Sequence, residues 1–276
     1  NDFIIPVVEL QSLSVREFVV FMYKYFPSAA NELSVELEKQ SKLKALCRNP
    51  LILYFLCALA ERTPLLIPAN KGLLIKIFIA NILKREQKKN LLFDEYKYFT
   101  YLTAIGIQSR RDKRVSFDTS YLVDIISNVA TKIDPAADRL TVIGSLIDAG
   151  LLTKNNQQVS FTHELYQEYF AAEGLLQEIM GKLPLSELEA TFEWEQPLIL
   201  YSGLVSNPAA FIEELAEVNP ILAIKCYEST VSDDLALRTK ITSQAYVNSG
   251  KVEQIEVASN GLMALARLGE PGLINE

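Results

Sequence analysis

A single histidine, His163, stands among the 276 residues. An imidazole changes charge near neutral pH, so it can hold an anion, move a proton or ligate a metal. Its setting narrows the choice. Val159 and Phe161 alternate with polar Ser160 and Thr162, as in a short half-buried strand. From Glu164 onward Leu165, Tyr169 and Ala172 recur at helical spacing, and Tyr166 and Phe170 widen that stripe. Thr162 stands where an N-cap would, which predicts His163 in the first helical turn. Backbone N–H groups point outward there and the helix dipole is positive, so an anion such as phosphate fits. A capping or packing histidine is the competing reading on position alone.

Other chemistry is hard to assemble. A Ser–His–Asp arrangement could be drawn around His163, but no Gly-x-Ser-x-Gly elbow accompanies it. Cys47, Cys57 and Cys226 are widely spaced, without a Cys-x-x-Cys pair, and one histidine beside them argues against a zinc site. They read as reduced, buried thiols of a cytoplasmic protein. No Gly-x-x-x-x-Gly-Lys-Ser/Thr phosphate loop occurs, nor an acidic strand end of Walker B type. No catalytic or metal residue is therefore expected in this chain.

The elements that must position His163 read as mainly helical. Ser14 and Glu17 have capping-box spacing ahead of a helix whose apolar face is Phe18, Phe21, Met22 and Tyr25, stopped by Pro27. Leu33 to Leu46 reads as one helix. Pro50 suits the first turn of the next, where its missing N–H costs nothing. Leu51, Leu53, Phe55, Leu56 and Leu59 make that helix apolar on nearly every side, the centre of a small bundle. Gly72 to Arg85 follows, and Lys84 to Lys89 is a solvated charge run at its end. From Phe93 the order is helix (Tyr96 to Ile107), helix (from Val123), helix (Asp138 to Ala149, with Leu140, Ile143, Leu146 and Ile147 inward), then a hairpin turning at Asn155-Asn156. That is the order of a winged helix. Gly150 is a C′ glycine. The Arg110-Arg111-Asp112-Lys113-Arg114 cluster reads as an exposed loop, with partner or nucleic-acid contact as the lesser reading.

Bulk properties set limits. Hydrophobic residues at 49% can fill a sizeable core, and 22% charged residues argue against general disorder. A net charge of −7 argues against a mainly electrostatic nucleic-acid binder. The third helix of the winged-helix pattern would enter a DNA groove, yet it carries Arg139 against Asp138 and Asp148. From Ser160 to Pro220 eleven glutamates face Lys182 alone, which reads as an acidic solvated helix face. The run Leu51 to Leu59 is too short to span a membrane. After Trp194 several helices with short turns follow, ending in a segment, Asn260 to Pro271, like a repeat helix and its turn. The start at Asn1, almost at once on the β-type run Phe3 to Val8, suggests a fragment of a longer protein.

Taken together, F-x-H-x-x-x-Q-E-Y-F-A-A (Phe161 to Ala172) resembles the end of the winged-helix domain in NACHT-type signalling ATPases, the STAND class that includes NOD-like receptors. The run Phe3 to Val8 followed by Glu9-Leu10-Gln11-Ser12-Leu13-Ser14 resembles the last strand of a NACHT domain passing into its helical neighbour. Asn49-Pro50-Leu51-x-Leu53 resembles the family's Gly-x-Pro region, although Arg48 holds the glycine position. The closing helices resemble HEAT-type repeats.

The resemblance implies a mainly α chain: a remnant nucleotide-domain strand (residues 1–12), a helical domain (13–90), a winged helix with a β-hairpin (91–177) and HEAT-like repeats (178–276). It implies a regulatory segment that closes over ADP. His163 would contact the terminal phosphate and Pro50 the adenine side, with Mg and an ADP/ATP cycle belonging to the parent ATPase. Its partners would be the parent's nucleotide-binding domain, a ligand on the repeat arm and, on activation, further copies of itself; nucleic acid and membrane would not be partners. The setting would be cytoplasmic: defence or programmed cell death in a prokaryote, innate immunity in an animal. Two alternatives stand beside this: a winged-helix nucleic-acid regulator, and a helical-repeat scaffold without nucleotide linkage.

Overall fold

The computed structural model describes residues 12–61, 68–178, 194–230, 234–251 and 255–268. Among these are fourteen helices and three short strands, a mainly α fold with one small antiparallel sheet. The β-type run Phe3 to Val8, most of the acidic segment around Lys182 and the turn at Pro271 lie outside the described residues. The chain divides into two compact units, residues 1–74 and 75–276, each described by itself.

In the first unit α1 (Val15–Tyr25) starts with the expected capping box: Glu17 N–H donates to Ser14 Oγ at 3.3 Å and Ser14 N–H to Glu17 Oε2 at 2.8 Å. Phe18 and Met22 are buried, but Tyr25, expected inward, is 57% exposed. The helix expected from Leu33 to Leu46 is two, α2 (Ala30–Lys39) and α3 (Ser41–Leu46), broken at Gln40 with ψ 75. The core supplies the reason. A straight helix that buried Leu33 and Leu37 would carry Leu43 and Cys47 off that stripe, and the break returns both inward. The central helix α4 (Pro50–Ala60) buries Ile52, Leu53, Phe55, Leu56, Cys57 and Leu59.

The second unit contains most of α5 (Lys71–Lys89), then α6 (Glu95–Arg111), β1 (Phe117–Asp118), α7 (Thr119–Ile133), α8 (Arg139–Asp148), β2 (Leu152–Asn155), β3 (Gln158–Phe161) and α9 (Glu164–Glu178). This keeps the helix, helix, helix, hairpin order read from the sequence and adds a strand. Phe117 pairs with Val159, giving the sheet order β1-β3-β2. Two residues are too few to show a period of two, so β1 left no pattern. Asp118 leaves that strand to cap α7, accepting from Tyr121 N–H at 2.8 Å; the helix expected from Val123 therefore starts at Thr119. The hairpin turns at Asn156 (φ 55) and Gln157, because Asn155 is paired with Gln158.

Gly150 closes α8 as expected, at φ +74. Its N–H meets the Ile147 carbonyl at 2.9 Å and the next N–H, of Leu151, meets Leu146 at 3.1 Å, the paired bonds of a Schellman motif. Val142, Ile143 and Leu146 face inward; Leu140 lies off that stripe and is 60% exposed, against expectation.

Five further helices follow: α10 (Glu195–Leu204), α11 (Ala209–Val218), α12 (Pro220–Ser229), α13 (Leu235–Ser249) and α14 (Ile255–Leu268). Each packs on its neighbour or its next neighbour, α10 on α12, α11 on α13 and α12 on α14. Stacks of helical pairs bury a shared core in this way. Asn219 and Asp234 cap α12 and α13 with their side chains.

Candidate functional site

The stretch from Phe161 to Gly174 is held by one tight helix pair, α6 against α9. A Cβ added to Gly106 would lie 2.6 Å from Phe170 Cβ and 2.9 Å from the Ala171 nitrogen. A Cβ on Gly174 would lie 2.7 Å from Ile107 Cβ. The two axes approach this closely because glycine stands at each crossing and Ala171 and Ala172 flank them, both fully buried. Phe170 fills the remaining space, stacked on Phe161 at 5.9 Å and edge-on to Phe99 at 5.7 Å.

The polar residues of the stretch are consumed in the same interface. Gln167 is buried and its amide uses both hydrogens, one to Ser109 Oγ at 2.8 Å and one to the Arg114 carbonyl at 2.7 Å. Tyr169 donates to Glu173 Oε1 at 2.7 Å, and Lys76 approaches the same carboxylate at 3.5 Å. Burial, together with the Glu173 charge, pushes the Tyr169 phenol up, so it stays a donor.

His163 differs from all of these. It is exposed, immediately before the first residue of α9, and its ring contacts the Tyr166 ring edge-on at 5.4 Å. The first helical turn expected to contain it starts one residue later, so His163 takes the N-cap position, its carbonyl accepting from Tyr166 N–H at 3.0 Å. Thr162 instead closes the hairpin, its N–H bonded to the Leu151 carbonyl at 3.1 Å.

The basic cluster beside this helix start corrects the sequence reading. Asp112, Lys113 and Arg114 do form an exposed turn, as expected, but α6 continues through Arg111 and Arg110 is only 7% exposed. Its guanidinium lies 3.2 Å from Glu164 and 3.6 Å from Glu168, both in the first turns of α9. Periodicity alone could have extended α6 to Arg111; the acids four residues apart in α9 were the signal for a buried cationic partner. Arg110 Nε has no partner among the described residues. Lys113 takes φ 54 after the α6 C-cap, the position glycine usually fills. Arg114 lies over the Tyr121 ring at 4.7 Å, and Tyr121 donates to Asp112 at 2.8 Å. A cavity of about 310 Å³ opens among Arg110, Lys113, Arg114, Glu164, Glu168 and Glu195. Cations and carboxylates are equal in number in its lining, so it carries no net charge to select a ligand of one sign.

Pro50 belongs to the other compact unit. It is the first residue of α4, half-buried, and Asn49 before it caps the helix, accepting from Leu51 N–H at 2.9 Å and Ile52 N–H at 3.3 Å. Arg48 ties this turn to the start of α1: its Nε donates to the Leu13 carbonyl at 3.0 Å, and Leu13 N–H donates to the Arg48 carbonyl at 2.8 Å.

Among the described residues no group of three His, Cys, Asp or Glu could hold a metal ion, and no helix is long and apolar enough to cross a membrane. Arg139, the base of α8, bonds to the Ala137 carbonyl, the Pro135 carbonyl and Ser127 Oγ. It is thereby turned to its own loop. A comparison with protein-family models found no match, and none of the curated proteins matches the sequence.

Proposed function

We propose that this chain is the regulatory and sensor part of a NACHT/STAND-type ATPase switch, closing over ADP and opening to oligomerise and signal in a cytoplasmic defence or cell-death response. One observation supports it above the others. In the stretch Phe161 to Gly174 the aromatic, amide and small residues are used by the α6–α9 interface, whereas His163 is exposed at a helix start. An imidazole beside outward N–H groups suits a phosphate oxygen. Glu164 and Glu168 would oppose an anion there, and Arg110 between them offsets one of the two charges.

On this reading His163 contacts the terminal phosphate of ADP, Pro50 lies on the adenine side, and the magnesium and phosphate loop belong to a nucleotide-binding domain outside this chain. The α10–α14 stack is the arm that receives an activating ligand. Differential docking of the segment in the ADP and ATP states biases the two-state switch.

The test uses the protein together with that nucleotide-binding domain. A hydrogen bond to a charged group contributes about 1.5–3 kcal/mol. His163→Ala is therefore expected to weaken ADP by about 10- to 100-fold and raise the oligomeric fraction at rest. Unchanged ADP affinity with an unchanged resting state rejects the phosphate role and leaves a helical scaffold.

A further inference from the structure

Between α5 and α6 the chain makes a turn that presents Leu91 at 94% and Leu92 at 90% exposure. The turn is built, not slack. Asn90 N–H continues the helix to the Glu86 carbonyl at 2.9 Å, Asn90 Oδ1 accepts from Leu92 N–H at 3.0 Å, and Phe93 N–H returns to the Asn90 carbonyl at 2.9 Å. Phe93 anchors the far side, buried and stacked on Tyr98 at 3.8 Å. Two adjacent leucines are thus held out in water at little further ordering cost on binding.

Beside this knob runs a groove of about 470 Å³, floored by Ala80, Leu83, Phe99 and Tyr169 and rimmed by Glu95 and Tyr96. Tyr96 is itself 71% exposed. Charges around the pair are complementary. Lys84 and Lys88, one turn apart on the outer side of α5, have no partner among the described residues, nor has the Glu95 carboxylate on the groove rim. A knob and a groove contiguous on one surface, with opposite charges flanking them, satisfy the self-complementarity that a two-fold contact demands.

We infer that the α5–α6 hairpin is a homodimer interface, in which Leu91 and Leu92 of each copy enter the groove of the other and Lys88 meets Glu95 across the two-fold axis. A bilayer fits less well: of the cations before the leucines Arg85 and Lys89 are paired with Glu86, and Asp94 and Glu95, just beyond Phe93, would be repelled by an anionic surface. The inference is independent of the nucleotide reading and rests on this chain alone.

Sedimentation equilibrium of the 276-residue chain tests it. A concentration-dependent monomer–dimer equilibrium is expected. Leu91→Asp and Leu92→Asp should each weaken it by about 100-fold or more, the behaviour of a central apolar anchor, with a thermal melt unchanged at concentrations where the wild type is monomeric, because both side chains are exposed there. Lys88→Glu and Glu95→Lys should each weaken dimerisation, and the two together should restore it. A chain that stays monomeric, a dimer indifferent to both leucines, or a charge pair that fails to rescue overturns the inference. So does Leu92-dependent pelleting with phosphatidylserine vesicles in place of self-association.

Discussion

Gly106→Ala and Gly144→Ala are the same chemical change, yet the structure gives them opposite signs. In α8 a Cβ on Gly144 meets nothing within 4 Å. The substitution then gains the usual advantage of alanine inside a helix, about 0.5–1 kcal/mol. In α6 the Cβ of residue 106 would lie 2.6 Å from Phe170 Cβ and 2.9 Å from two backbone atoms of α9, where ordinary contact begins at 3.4 Å. The helices must part by roughly 0.8 Å, the difference between the two distances. Backbone cannot rotate aside as a side chain can, so the overpacking cost should sit at or above the upper part of the usual range, about 1–3 kcal/mol. Set against the propensity gain, a net loss of about 1–2 kcal/mol is expected for Gly106→Ala. Gly174→Ala falls between, because the atoms it meets belong to the Ile107 side chain. In a unit of this size each kcal/mol moves the melting temperature by about 2–4 °C. Thermal and urea melts followed by far-UV circular dichroism should rank the variants Gly144→Ala, wild type, Gly174→Ala, Gly106→Ala in falling stability. A Gly106→Ala protein as stable as wild type would refute the claim that α6 and α9 touch backbone to backbone at this crossing.

Three further outcomes follow from the same geometry. Gln167→Leu should cost about 1–3 kcal/mol in urea denaturation, since the buried Ser109 hydroxyl loses its donor and the Arg114 carbonyl a bond; Gln167→Glu, whose oxygens would face that carbonyl, should cost more. Burial pushes the Cys47, Cys57 and Cys226 thiols up to about 12, so a thiol reagent at pH 8 should label none of them until the protein unfolds. Because those folded values are raised, their stabilisation is present below about 8.5 and declines as pH rises past it, where the unfolded thiols ionise. Hydrogen bonds from Ser120 and Tyr121 hold Asp118 below its ordinary value, and bonds from Thr141 do the same for Asp138. Both folded values are depressed, so this stabilisation is present above about 4 and lost as pH falls through them; Asp138→Asn should remove its share of the acid dependence in a pH series of melts.

Much of the architecture was legible because helix starts and stops are local. Ser14 with Glu17, Asn49 with Pro50, Asp138 and Gly150 each announce an end through their own hydrogen bonds, and each stands where its side chain demanded. What was missed depended on partners distant in sequence. The break at Gln40 serves a core that Leu33, Leu37, Leu43 and Cys47 must all reach. β1 exists because Val159 is there to pair with Phe117, and its two residues carry no period. Arg110 looked like one more cation in a basic run, and only the register of α9, which brings Glu164 and Glu168 alongside, makes it a buried ion-pair residue. Charge clusters are ambiguous in this way: composition gives the sign, and the fold decides which member faces inward.

The same contrast bears on His163, whose exposure the local pattern did permit. At the residue before a helix, Ser, Thr, Asp and Asn are favoured because a short side-chain oxygen reaches the N–H of the second or third residue, an advantage of about 1 kcal/mol over residues that cannot cap. An imidazole is poorly shaped for that bond, and here its ring rests against Tyr166. The hairpin before it is closed by Thr162 and Leu151, and the helix after it is held by Gln167, Phe170 and the two glycine crossings, so neither needs the ring. A histidine where aspartate would serve the fold better is what the proposed phosphate contact would require, since an aspartate there would repel an anion.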